Sequence, residues 1–139
     1  MKILIDTNIV LDALMAREPW AAPAQAILLK VSEEKVEGCV TASSFTGLYY
    51  LLQKHLRSKR QTKQALHALL TSVNILDVSG TDCEKAFELP VPDYEDALLA
   101  CCGKRHKVDC IITRNEKDFM QSPVSALSPH TFLEQFISH

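Results

Sequence analysis

Four short apolar runs constrain the fold of this chain more than any other feature. They are Lys2 to Asp6, Gly38 to Thr41, Val73 to Val78 and Val108 to Thr113. Each is brief and mostly apolar, with β-branched residues, the mark of a strand buried on both faces. Helical periodicity fills the gaps. The segments run from Ile9 to about Ala16, with Thr7 or Asn8 as cap, and from Pro19 or Pro23 to Glu34. Ser43 or Ser44 is positioned to cap a helix carrying Phe45, Leu48, Tyr49, Leu51 and Leu52. Further helices are expected over Gln61 to Ser72, Thr81 to Leu89 and Asp93 to His106. Ser125-Ala126-Leu127 reads as a short fifth strand, and a helix from Pro129 to Ile137 closes the chain. Strands joined through helices need crossover connections, and therefore a parallel sheet covered on both faces. The expectation is one α/β domain over residues 1–139, a three-layer α/β/α sandwich around a parallel sheet of four or five strands.

Acidic residues mark the ends of these runs. Asp6 closes the first, Asp96 opens the helical stretch to Cys102, and Asn115 and Asp118 follow the run Cys110 to Arg114. In a parallel sheet, strand C-termini and the helix starts that follow them share one edge, where ligands bind. A carboxylate cluster with few basic partners repels itself, and proteins keep one mostly to hold a divalent cation. Two or three carboxylates and an amide oxygen suit Mg²⁺ or Mn²⁺, both hard ions. A plainer reading stands beside each residue. Asp6 has the position of a helix cap in tandem with Thr7 and Asn8. Asp93 and Asp96 have capping-box spacing, and acids in a first helical turn also suit the helix dipole. Asn115 is placed to cap a turn containing Asp118.

The net charge of −2 exerts no global pull on nucleic acid, so any such binding needs a local patch. Candidates are Lys54, Arg57, Lys59, Arg60 and Lys63, with Arg114 and Asn8 beside the acids. Lys104, Arg105 and Lys107 close a helix, where they also complement its dipole. Tyr49 and Tyr50 are candidates for stacking on bases or for the core. Of the five cysteines, Cys39, Cys101, Cys102 and Cys110 sit in apolar runs and read as buried hydrophobes in a reducing compartment. With no CxxC, and no HxH or HxxxH among His55, His67, His106, His130 and His139, a zinc site is disfavoured. No GxGxxG or GxxxxGK[ST] motif is present, which disfavours a Rossmann or P-loop nucleotide site. No apolar stretch approaches the ~20 residues of a membrane span. The first residues enter a strand without a signal-peptide pattern, so a cytoplasmic protein is expected.

At its acidic segments the chain resembles the PIN-domain family. The matching stretches are Ile5-Asp6-Thr7-Asn8, Thr41-Ala42-Ser43-Ser44, Asp93-Tyr94-Glu95-Asp96-Ala97-Leu98 and Ile112-Thr113-Arg114-Asn115-Glu116-Lys117-Asp118-Phe119. The resemblance spans nearly the whole chain and implies a five-stranded parallel sheet. It also implies a Mg²⁺- or Mn²⁺-dependent ribonuclease, often the toxin of a VapBC-type toxin–antitoxin pair, with RNA as substrate, an antitoxin as partner and a homodimer as assembly. Carried over, Asp6 and Asp96 are the carboxylates that touch the metal. Asn115 stands where many members have an aspartate, Asp118 matches a further acid, and Asp93 matches the acid of an Asp-x-x-Asp variant. Many members also carry an acid in the helix after the second strand, and Gly47 occupies that place. Either activity is lost with that ligand, or Asp93 or Asp118 supplies the missing charge.

Two other readings compete. One keeps the fold but makes the protein an RNA- or protein-binding module without catalysis. The other is a dehalogenase-like or receiver-like domain phosphorylated on Asp6. The first of these would want Asp-x-Asp, where this chain has Asp6-Thr7-Asn8. The receiver would want paired acids and a late lysine that are not evident.

Overall fold

The computed structural model describes residues 1–137; His139 lies outside the described residues. Five parallel strands form one sheet: β1 (Lys2–Ile5), β2 (Glu37–Thr41), β3 (Asn74–Leu76), β4 (Cys110–Ile112) and β5 (Ala126–Leu127). Their order is β3-β2-β1-β4-β5. The chain winds outward from central β1 on one side, then crosses back to place β4 on the other. The C-terminal edge between β1 and β4 is therefore the topological switch point, where open α/β sheets bind ligands.

Seven α-helices surround the sheet: α1 (Thr7–Leu14), α2 (Ala21–Ser32), α3 (Phe45–Leu56), α4 (Lys59–Ser72), α5 (Gly80–Ala86), α6 (Tyr94–Arg105) and α7 (Pro129–Ile137). Strand alternation sorts the core into two layers. Ile3, Ile5, Val40 and Ile112 pack on one face with residues of α1, α2, α3, α4 and α7. Leu4, Cys39, Leu76 and Ile111 pack on the other with Leu99, Ala100 and Cys102 of α6. Ala86 of α5 joins Ala97 and Cys101 in a smaller cluster. This is the expected sandwich, with five strands. All five cysteines are free, and the four assigned to apolar runs are buried.

Several boundaries differ from the periodicity. Helix α1 begins at Thr7, with Asp6 rather than Thr7 or Asn8 in the capping position. Ser44 stands at the N-cap position of α3, as expected, but neither its side chain nor that of Ser43 makes a capping hydrogen bond. Both lie in a 3₁₀ turn over Ala42–Ser44, and their hydroxyls meet the buried Thr41 hydroxyl at 3.1 and 2.8 Å. Ser58 caps α4 by accepting from the Gln61 N–H, so the helix starts at Lys59 and not at Gln61. A capping box between Ser79 and Asp82 starts α5 at Gly80. No described helix is long and apolar enough to cross a membrane.

Candidate metal centre

Asp6 leaves β1 at the switch point. Its backbone N–H donates to the Ile112 carbonyl of β4 at 3.0 Å, and its own carbonyl accepts from the Ile9 N–H of α1. The side chain makes no capping hydrogen bond of full geometry, although the Thr7 and Asn8 N–H groups lie close enough to favour its charged form. It turns inward, 4% exposed, and accepts a hydrogen bond of 2.8 Å from the Thr113 hydroxyl. Thr113 is wholly buried, and its oxygen also accepts from the Asn115 N–H at 3.1 Å. One hydroxyl thus ties the ends of β1 and β4 together. Burial pushes the Asp6 carboxyl above its usual range, and the Thr113 hydrogen bond only partly offsets this. The neighbouring Thr7 hydroxyl is buried and has no hydrogen-bond partner among the described residues.

Asp96 arrives in the first turn of α6, also buried. Its pKa is pushed up to about 7 by burial, then by the negative charges of Asp6, Asp93, Asp118 and Glu95. Asp96 thus feels the charge of four other acids at this edge of the sheet. Glu95, to which the sequence assigns no site role, is raised by burial and by Asp6 and Asp93. Asp93 is the N-cap of α6: its Oδ1 accepts from the Glu95 N–H at 2.7 Å and the Asp96 N–H at 3.3 Å. The plain capping role therefore holds for Asp93. Asp96 makes no reciprocal bond of a capping box. Asn115 precedes a 3₁₀ turn over Glu116–Phe119 that contains Asp118, and its exposed side chain does not cap that turn.

Among the described residues, no three acidic, histidine or cysteine side chains stand close enough to form a ready cation cage. The donors nonetheless fit a hard divalent ion. Asp6 and Asp96 are buried carboxylates whose charge only Arg114 offsets, in part, and Mg²⁺ typically binds through one or two carboxylates while keeping several waters. Gly47 is exposed, and a Cβ built there would meet nothing within 4 Å.

A second charged cluster borders the pocket. Asp12, wholly buried on α1, holds two guanidinium groups. Arg17 Nε lies 2.8 Å from its Oδ1, and Arg114 Nε lies 2.9 Å from its Oδ2. Arg17 also donates to the Asn8 carbonyl at 3.2 Å, and the Arg114 guanidinium sits 3.9 Å from the Trp20 ring centroid. Asp12 was not among the candidates, although an aspartate inside the apolar run Ile9-Val10-Leu11-Asp12-Ala13-Leu14 was a usable signal. Asn8 and Arg114 meet here as neighbours of the pocket. Arg57, Lys59 and Arg60 do not. Helix α3 leaves the acidic edge and carries the chain ~18 Å over its 12 residues before reaching them. Arg105, at the far end of α6 from Asp96, is committed to Asp82 at 2.8 Å.

Comparison with known proteins bears on the family and the fold. A family model described as "PIN domain" matches residues 2–117. No curated protein matches the chain. Among solved structures, the chain is similar to VapBC2 from Rickettsia felis bound to a DNA fragment from its promoter. The identity there is 19% and the TM-score 0.69, covering 92% of this chain and 98% of that one. A toxin–antitoxin complex from Klebsiella pneumoniae gives 23% identity and a TM-score of 0.66, covering 91% and 97%. VapC20 from Mycobacterium tuberculosis, described as a sarcin–ricin-loop-cleaving toxin, gives 16% and 0.63, covering 78% and 86%. At such identities the likeness is one of fold.

Proposed function

This chain belongs to the PIN-domain family, and from that premise we propose that it is a Mg²⁺- or Mn²⁺-dependent endoribonuclease acting as the toxin of a toxin–antitoxin pair. One observation carries the reading. Two buried carboxylates, Asp6 from the end of β1 and Asp96 from the start of α6, form an acidic pocket in which the charge of Asp6 raises Asp96 and only Arg114 offsets the charge of Asp6, in part. Such a pocket costs stability unless a cation enters it.

Asp6 and Asp96 would hold the ion, with Asp118 beside them and Asn115 acting through water. A bound divalent ion supplies an activated water and stabilises charge on the phosphate. The protein's own work is positional. Thr113 fixes one Asp6 oxygen by donating to it. Asp93 spends Oδ1 on the N-terminus of α6 and thereby sets the turn that presents Asp96. Asp93, Glu95 and Asp118 bring charge to the place where Gly47 brings none. Burial of Asp6 and Asp96 keeps bulk water from screening the ion.

The toxin assignment is supported by the recurrence of toxin–antitoxin complexes among the similar structures. It is also supported by an apolar groove between α2 and α4, lined by Leu28, Leu29, Ala68 and Leu69, with Leu29 57% exposed. A partner segment or a second copy of the chain would cover it, in keeping with a soluble cytoplasmic role. Gly47 favours a second reading, a PIN domain that binds RNA or protein without cutting. The two are separated by incubating single-stranded RNA with the wild type and Asp6→Asn, with Mn²⁺ or with chelator. The nuclease reading predicts cleavage that needs Mn²⁺ and falls at least ~100-fold in the variant. Equal cleavage by both proteins, or none by either, contradicts it.

A further inference from the structure

The cluster beside the acids joins an exposed aromatic ring to two partly exposed guanidinium groups. Trp20 is 41% exposed, a large apolar surface to leave at the rim of a charged pocket. Arg114 lies over one face of its ring. Arg114 is itself fixed by Asp12, so the indole rests on a support that reaches the fully buried interior. Two guanidinium groups share one carboxylate, which leaves one positive charge in surplus. The side chains of Arg17 and Arg114 are 32% and 25% exposed, so that surplus reaches solvent. Guanidinium groups suit phosphate oxygens, and an immobilised aromatic face suits a nucleobase.

The location follows from the chain. Arg114 is the residue after Thr113, which donates to Asp6, and Arg17 donates to the carbonyl of Asn8, two residues beyond Asp6. The other exposed aromatics lack this setting. Phe87 and Tyr94 stack on each other at 4.5 Å, and among the described residues no cation lies over either ring. Tyr50 pairs with Tyr49 on α3, with no charge contact to the acids.

We infer that Trp20, backed by Arg114 and flanked by Arg17, is a stacking platform for an unpaired base of single-stranded RNA, with Arg17 gripping an adjacent phosphate. The inference rests on the nuclease reading for the identity of its ligand and narrows the substrate to unpaired strands. A duplex hides its base faces in its own stack and presents none to the indole.

Trp20 is the sole tryptophan of the chain, so its fluorescence reports this one position. The full chain is titrated in chelator with a short oligouridylate, and separately with an adenylate–uridylate duplex of equal length. Anisotropy of labelled RNA follows binding in parallel. The single strand is expected to quench the emission with the same midpoint as the anisotropy, and the duplex to leave it unchanged. Trp20→Ala should weaken single-strand binding at least ~5-fold, with Trp20→Phe retaining most of it. Arg17→Gln should lower the slope of log affinity against log salt by about 0.7. Single-strand binding with unchanged emission, equal quenching by duplex, or no RNA binding overturns the platform. The assay contains no divalent ion, so cleavage plays no part in it. Quenching without Mn²⁺-dependent cleavage elsewhere would reject the nuclease and keep the platform, and cleavage without quenching would do the reverse.

Discussion

Asp96 concentrates the cost of the pocket in one side chain. Its pKa is 3.8 in an unstructured chain and about 7 in the folded protein. The folded state therefore holds this proton more tightly, and the residue's contribution to stability falls as pH rises from about 4 to about 7. Asp96→Asn should remove that decline. Urea midpoints at pH 8 should favour the variant, by up to roughly 2–4 kcal/mol, and converge with the wild type near pH 4. Mn²⁺ should raise the wild-type midpoint at pH 8 and leave that of the variant unchanged. Asp12 is the opposite case, a buried carboxylate that two guanidiniums satisfy. Asp12→Asn should cost ~2–3 kcal/mol in the same experiment, because both cations remain against a buried, uncharged neighbour. The pocket's main acids were legible in the sequence because each ends an apolar run or begins a helix. Thr113 and Glu95 were not, because a threonine after a strand and a second acid in a helix start are ordinary. Only the meeting of β1 with β4 gives Thr113 its role.

Elements were predictable in type and less so at their ends. All five strands and all seven helices match segments read from periodicity, since the core face of each carries the signal. Their starts moved where a local hydrogen bond outweighed the pattern, as with Ser58 before α4 and Ser79 before α5. Close approach is similarly hidden in a sequence. Gly38 lets α2 lie against β2, where an added Cβ would come within 2.6 Å of a Val31 methyl. Gly38→Ala should cost ~1–3 kcal/mol by chemical denaturation. Gly47 is the reverse, with open space around it in the first turn of α3. Gly47→Ala should raise stability by up to ~1 kcal/mol with no effect on metal binding. Gly47→Glu should strengthen Mn²⁺ binding as well, and calorimetry on the two variants separates backbone gain from ligand gain.

At the scale of the whole molecule, the sheet order makes the site. With β1 central and β4 beside it, the loop after each strand opens at the same edge, and α6 turns Asp96 into the gap. Residues about 110 positions apart thus face one another, which the alternation of strands and helices implied and the register supplies. The basic stretch near Arg57 shows where that logic stops, since composition marks a charge without saying which end of a helix it occupies. We propose that the pocket of Asp6 and Asp96 binds a divalent cation without an acid at Gly47. The direct measurement is isothermal titration of Mn²⁺ into the wild type and Asp6→Asn side by side. Binding in the micromolar to low-millimolar range by the wild type, absent from the variant, is the predicted result; no binding by either, or equal binding by both, would contradict it.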